Sequence, residues 1–114
     1  GYGSGSGVAV EITLAAAEVA VGDALTFDLD LRAEGAQPVL VDYIIEFHRA
    51  SGRPGRKVFK LKQAEIPAGK PLRLSKRHPL RGDATTFRLH PGPHRLLVQV
   101  NGEIRAEAAF DLIA

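Results

Sequence analysis

"ALTFDLDLR", residues 24–32, is the stretch on which the fold turns. Leu25, Phe27, Leu29 and Leu31 alternate with Thr26, Asp28, Asp30 and Arg32. A period of two puts four large apolar side chains on one face and four polar ones on the other. That is the pattern of a β-strand with one face buried. A helix would scatter the same residues around its circumference.

The pattern continues on both sides. Downstream, "VLVDYIIEFHR" (39–49) places Val39, Val41, Tyr43, Ile45 and Phe47 on one face. Leu40 and Ile44 lie on the other, as in a central strand covered on both sides. "KVFKLKQAEI" (57–66) turns Phe59 and Leu61 inward, with Lys57, Lys60 and Lys62 toward solvent. "LRLSKRH" (72–78) puts Leu72 and Leu74 on one face and Arg73, Ser75 and Arg77 on the other. "HRLLVQV" (94–100) and "EIRAEAAFDL" (103–112) flank Asn101-Gly102, a strong hairpin signal. Val98 and Val100 face in on the first arm; Ile104, Ala106, Ala108 and Phe110 alternate on the second. Upstream, "VAVEITL" (8–14) is another alternating run. Ala15–Ala20 has helical propensity but is too short for a stable helix, so an edge segment and a turn at Gly22-Asp23 are expected.

This makes seven strands, or eight, with no helix and no internal repeat. The absence of strand–helix alternation argues against a parallel sheet. The expected fold is all-β, an immunoglobulin-like antiparallel β-sandwich of seven to eight strands without the Cys-Trp-Cys core of antibody domains. A small closed barrel is the alternative. Residues 1–7, "GYGSGSG", read as a flexible Gly/Ser linker from an upstream domain, and residues 8–114 as the sandwich.

Composition narrows the function. The 114 residues suffice for one domain and one core. Methionine is absent, which suggests a piece of a longer or processed chain. Cysteine is absent too, excluding a disulfide framework, a thiolate metal site and a cysteine nucleophile. No apolar run approaches the ~18 residues of a membrane span, and no signal-peptide pattern opens the chain. A cytoplasmic setting is expected.

Net charge is only +2, yet the charges are segregated. Residues 1–47 carry eight acids and one base, whereas residues 48–102 carry thirteen Lys/Arg and two acids. One reading is an anionic partner such as nucleic acid. The other is that acidic and basic strands neutralise each other across a sheet.

The histidines offer little chemistry. His90 and His94 bracket Pro91-Gly92-Pro93, where a spacing of four does not guarantee convergence on a metal. The bend precedes the penultimate strand, where sandwiches often hold a tyrosine corner, and His94 is suited to that part. No serine lies in a nucleophile elbow and no carboxylates are paired. The expectation is therefore no catalytic residue, no metal and no cofactor. The strongest signal is basic: Arg53, Arg56 and Lys57 by one loop, Lys60 and Lys62 along the next strand, then Arg73, Lys76 and Arg77. Few aromatics interleave with them, which favours phosphate contacts with a duplex over base stacking.

At Val41-Asp42-Tyr43, Lys57-Val58-Phe59-Lys60-Leu61-Lys62, Leu74-Ser75-Lys76-Arg77-His78, Thr85-Thr86, Pro91-Gly92, His94-Arg95 and Val100-Asn101-Gly102, the sequence resembles a known family. It is similar to the C-terminal immunoglobulin-like domain of bacterial HEAT-repeat DNA alkylation repair proteins, the AlkC/AlkD-like DNA glycosylases, over roughly residues 20–112. It departs from the family at Phe87 and His90, where a basic and an aromatic residue are expected.

The resemblance implies base-removing chemistry in helical repeats outside this stretch, and a non-catalytic accessory role here. The partners it implies are duplex DNA, bound weakly and without sequence preference, and the helical-repeat domain of the same chain; no membrane is involved. Lys57, Lys60, Lys62, Lys76 and Arg77 fall within the shared motifs. The rival expectation is a β-sandwich that packs on its own helical repeats and touches no DNA. A more distant one is a secreted adhesion or carbohydrate-binding sandwich.

Overall fold

In a computed structural model, residues 7–48, 53–81 and 89–114 are described. Residues 1–6 of the expected linker, Thr85-Thr86 and Phe87 lie outside them.

Eight strands form two sheets. They are β1 (Ala9–Leu14), β2 (Glu18–Ala20), β3 (Ala24–Arg32), β4 (Gln37–Phe47), β5 (Gly55–Ile66), β6 (Leu72–Pro79), β7 (Gly92–Val100) and β8 (Glu103–Ile113). One sheet has the order β1-β3-β6 and the other β2-β8-β7-β4-β5. All pairings are antiparallel except β2 with β8. No helix occurs among the described residues. The molecule is thus an open immunoglobulin-like sandwich rather than a closed barrel, as the alternating runs predict.

The alternation of "ALTFDLDLR" becomes the floor of the core. Leu25, Phe27, Leu29 and Leu31 are each at most 1% exposed, while Thr26 and Asp28 face water. They meet Val39, Val41, Tyr43 and Ile45 of β4, Leu96 and Val98 of β7, and Phe110 and Leu112 of β8. Tyr43 sits at the centre of β4, edge-on to Phe27 at 5.2 Å and stacked on Phe59 at 5.0 Å. This aromatic cluster occupies the core between the sheets, where a Trp and a disulfide meet in antibody domains.

β4 is central, between β7 and β5, and is covered on both sides at Ile44, which is 4% exposed. Two bulges interrupt the five-stranded sheet at one level. Asp42 pairs with Gln99. Beside that pair Leu61 is the extra residue of β5, and Arg105 that of β8. A bulge shifts the facing of residues beyond it. Ile104 is therefore carried outward to 46% exposure, against the expectation that it alternates with Ala106 and Phe110.

The sandwich is elongated, 43 × 24 × 20 Å. Its near end holds the start of β1, the β3–β4 and β5–β6 turns and the Asn101-Gly102 turn. Its far end holds the ends of β4, β6 and β8. Along its sides, β1 packs beside β8, and β5 beside β6.

Candidate nucleic-acid interface

The eight cations expected to form one basic face fall on three adjoining surfaces. Arg73 and Arg77 lie on the outer face of the three-stranded sheet with Ser75, all exposed, as their spacing of two requires. Arg56 and Lys60 lie on the outer face of the five-stranded sheet, opposite Glu46 and Asp42. Lys57 shares the side of Phe59 instead, its ammonium 5.5 Å from the ring centroid. Lys57 and Lys76 both flank the His78 ring at the seam where edges β5 and β6 approach. Lys62 is exposed at the β5 bulge, and Arg53 is exposed just before β5.

Ion pairing divides the cations sharply. Arg32 and Arg73 both bind Asp30, at 2.8 and 3.3 Å. Arg56 donates to Glu46 at 2.8 Å. Arg95 makes two hydrogen bonds to Glu46, at 2.7 and 3.0 Å, and one to Glu107 at 2.9 Å. Arg105 pairs with Glu103. The acids respond accordingly: hydrogen bonding from Arg95 holds the Glu46 carboxyl below its ordinary pKa, and Arg32 does the same for Asp30.

Arg56 and Arg73 are therefore already ion-paired across strands, each sharing its acid with a second arginine. Arg53, Lys57, Lys60, Lys62, Lys70, Lys76, Arg77 and Arg81 make no ion pair among the described residues. All eight lie on β5, on β6 or in the segments adjoining them. Lys70 and Arg81 belong to this surface through the placement of β5 beside β6; as isolated loop residues they gave no signal in the sequence.

Between these cations, at the far end, is an apolar dent of about 210 Å³. Phe47, Phe59, Leu80 and Leu89 line it, with Lys57, His78 and Arg81 at its rim. It is smaller than the ~300 Å³ at which ligand pockets begin. The Tyr43 hydroxyl and His78 Nδ1 are hydrogen-bonded at 2.7 Å. Burial, then the Lys76 and Lys57 charges, lower the His78 pKa.

The histidines of the bend have a structural part. His94 is 2% exposed, and its Nδ1 donates to the Gly92 carbonyl at 2.9 Å, fastening the turn into β7. It packs against Phe47 and Phe110. Its Nε2 is buried without a partner among the described residues. Burial lowers the His94 pKa. Among the described residues, no three His, Asp or Glu side chains converge as metal ligands would.

Comparison with known proteins places this geometry in a family. The family model described as "Uncharacterised protein YhaZ, C-terminal Ig-like domain" matches residues 8–114. The chain is 26% identical over 102 residues to uncharacterized protein YhaZ of Bacillus subtilis (strain 168), covering 90% of this chain and 28% of that protein. Among solved structures it is similar to the Pseudomonas fluorescens alkylpurine DNA glycosylase AlkC bound to DNA containing an abasic site analog. The TM-score is 0.87 and the identity 31%, over 95% of this chain and 31% of that one. A β-glucosidase from Listeria innocua, at 14% identity and a TM-score of 0.72, shares the fold over 94% of this chain and 16% of its own. The chain thus spans about a third or less of each of these proteins. With a match running through the whole sandwich, the chain belongs to the family of YhaZ C-terminal Ig-like domains.

Proposed function

We propose that this domain is a non-catalytic accessory module of a cytoplasmic, bacterial DNA alkylation repair protein, and that it grips duplex DNA through phosphate contacts along β5 and β6. One observation carries the reading. The arginines on the other strands are ion-paired, while the cations without an acid partner among the described residues all gather on β5, β6 and the segments beside them. Unpaired cations are free to displace counterions from phosphates. The similarity to AlkC, solved bound to DNA, supports the same partner. Base removal belongs to the rest of the parent chain, in helical repeats.

Each phosphate contact makes log K fall with log salt at a slope of about −0.9. Alone, the domain binds no tighter than roughly 10⁻⁴ M; joined to a second DNA-binding unit, the contact becomes intramolecular and useful. Fluorescence anisotropy on a short duplex across a salt series tests this. The triple variant Lys57→Gln, Lys60→Gln, Lys76→Gln lowers the slope by up to about three units. Asp28→Asn with Asp30→Asn does not lower it. Equal slopes for the triple variant and the parent chain overturn the proposal.

A second reading rests on β5 itself. It is a twelve-residue edge strand, and lysines on an edge discourage pairing with another chain. On that reading the same triple variant self-associates in light scattering and its DNA slope stays unchanged.

A further inference from the structure

The two outer faces of the sandwich differ in kind. Around Asp28 and Asp30, that of the three-stranded sheet is polar: Arg32 and Arg73 pair with Asp30, and Ser75 donates to Asp28 at 2.6 Å. That of the five-stranded sheet has an apolar middle. Ile44 and Leu97 pair across β4 and β7 outside the core, and are 4% and 2% exposed. Arg95, held by Glu46 and Glu107, lies beside them on the same face. Around this island Val58, Ile104 and Leu40 stand 56%, 46% and 39% exposed. An apolar patch with a polar rim on one sheet face marks an interaction surface.

Its position suggests the occupant. Val8 enters the fold at the near end, and β1 packs beside β8. Ile104 opens β8 at that same end, and Leu40 is held there by its amide donating to Asn101 Oδ1 at 2.7 Å. The family description makes this a C-terminal domain, and it accounts for 28% of YhaZ and 31% of AlkC. In YhaZ most of the chain therefore precedes the domain, and a chain arriving at Val8 reaches the near end, where Ile104 and Leu40 stand. Lys57 and Lys76 of the basic seam lie on the opposite lateral side from β1 and β8, while Arg56 and Lys60 flank Val58 and form the margin of this face on β5.

We infer that the outer face of the five-stranded sheet, centred on Val58, Ile44, Leu97 and Ile104, is the docking surface for the polypeptide that precedes this domain in the full-length protein. The charges on its margin are largely paired within the domain, Glu107 with Arg95 and Glu103 with Arg105, so the face calls for a partner surface with an apolar centre. Inter-domain contacts of this kind bury roughly 600–1,500 Å². A tethered partner needs little intrinsic affinity to stay in place. The inference does not rest on DNA binding.

The lack of cysteine makes the test direct. Val58→Cys, Ile104→Cys and, as a control on the other sheet, Thr13→Cys are labelled with a maleimide, without nucleic acid. Peptide mass spectrometry follows each site, in the 114-residue chain and in the full-length protein that carries it. Cysteines at 58 and 104 should label at least about tenfold more slowly in the full-length protein, the slowing given by a face covered nine-tenths of the time. Cysteine at 13 should label equally in both. Equal rates at 58 and 104 overturn the inference. Slow labelling already in the 114-residue chain, deepening with concentration, overturns it in favour of a second copy. Protection that appears only on adding duplex DNA overturns it in favour of a nucleic-acid face.

Discussion

Gly92→Ala tests whether the turn into β7 is held as the structure describes. Gly92 has φ of +142°, a region essentially restricted to glycine. A Cβ there would sit 2.7 Å from Cδ2 of His48, 3.0 Å from its Cγ and 3.1 Å from its Nε2. Two costs follow. Holding an L-residue in that backbone conformation costs about 1–3 kcal/mol. Forcing the His48 ring away adds an overpacking cost of about 1–3 kcal/mol. Together they come to about 2–6 kcal/mol, a large share of the ~5–15 kcal/mol that holds an ordinary domain. The assay is urea unfolding followed by far-UV circular dichroism, since the chain has no tryptophan. A double-mutant cycle separates the costs. In a His48→Ala background the ring is gone, and Gly92→Ala should retain only the backbone cost, leaving a coupling of about 1–3 kcal/mol. A cost below about 0.5 kcal/mol, or the same cost in both backgrounds, refutes the reasoning.

Four further outcomes are expected. Burial lowers the pKa of His94 and of His78, so the unfolded chain binds more protons just below the ordinary histidine value of about 6.5. Stability should be full above that pH and fall as acid is added down toward pH 5, before the carboxylates titrate; urea midpoints that stay constant or rise on acidification refute this. Glu46→Gln removes the shared charge from Arg95 and Arg56, and should cost about 1–3 kcal/mol by chemical denaturation. Glu103→Gln, on a half-exposed pair, should cost less than about 1 kcal/mol. The 114-residue chain should release no base from alkylated duplex DNA, because Asp28 and Asp30, the acids of the hollow on the three-stranded sheet, are already held by Ser75, Arg32 and Arg73; release above a heat-killed control contradicts this.

Much of the fold was legible because period two survives in nearly every strand. Phe27, Leu29, Tyr43, Ile45, Val98 and Phe110 are all buried where alternation puts them, and Leu74 is half-buried on the edge strand β6. Even the three-residue β2 was foreshadowed by a helix-like run too short to stand alone. What alternation cannot carry is an insertion of one residue: the Arg105 bulge reverses the facing of Ile104 with no mark in composition. The candidate site was legible as a list of charges and not as a surface. Segregation of Lys and Arg after residue 47 is visible in the chain. Which of them are already paired with Asp30 and Glu46 depends on strand partners 43 residues apart for Arg73 and 49 for Arg95, and so on topology. Arg81 and Lys70 join the surface for the same reason.

The course of the chain along the long axis has a mechanical consequence. β1 enters at the near end and β8 finishes at the far end of a 43 Å body. A pull between Val8 and Leu112 is therefore directed along the strands. Antiparallel ladder hydrogen bonds run perpendicular to the strands, so the six residue pairs of β1 with β3 would be loaded together in shear rather than peeled one at a time. β2, bonded in parallel to β8, would be loaded in the same sense. Tension applied at those two points would be carried by whole ladders at once, so that the sandwich passes load from one end to the other instead of unravelling from its first strand.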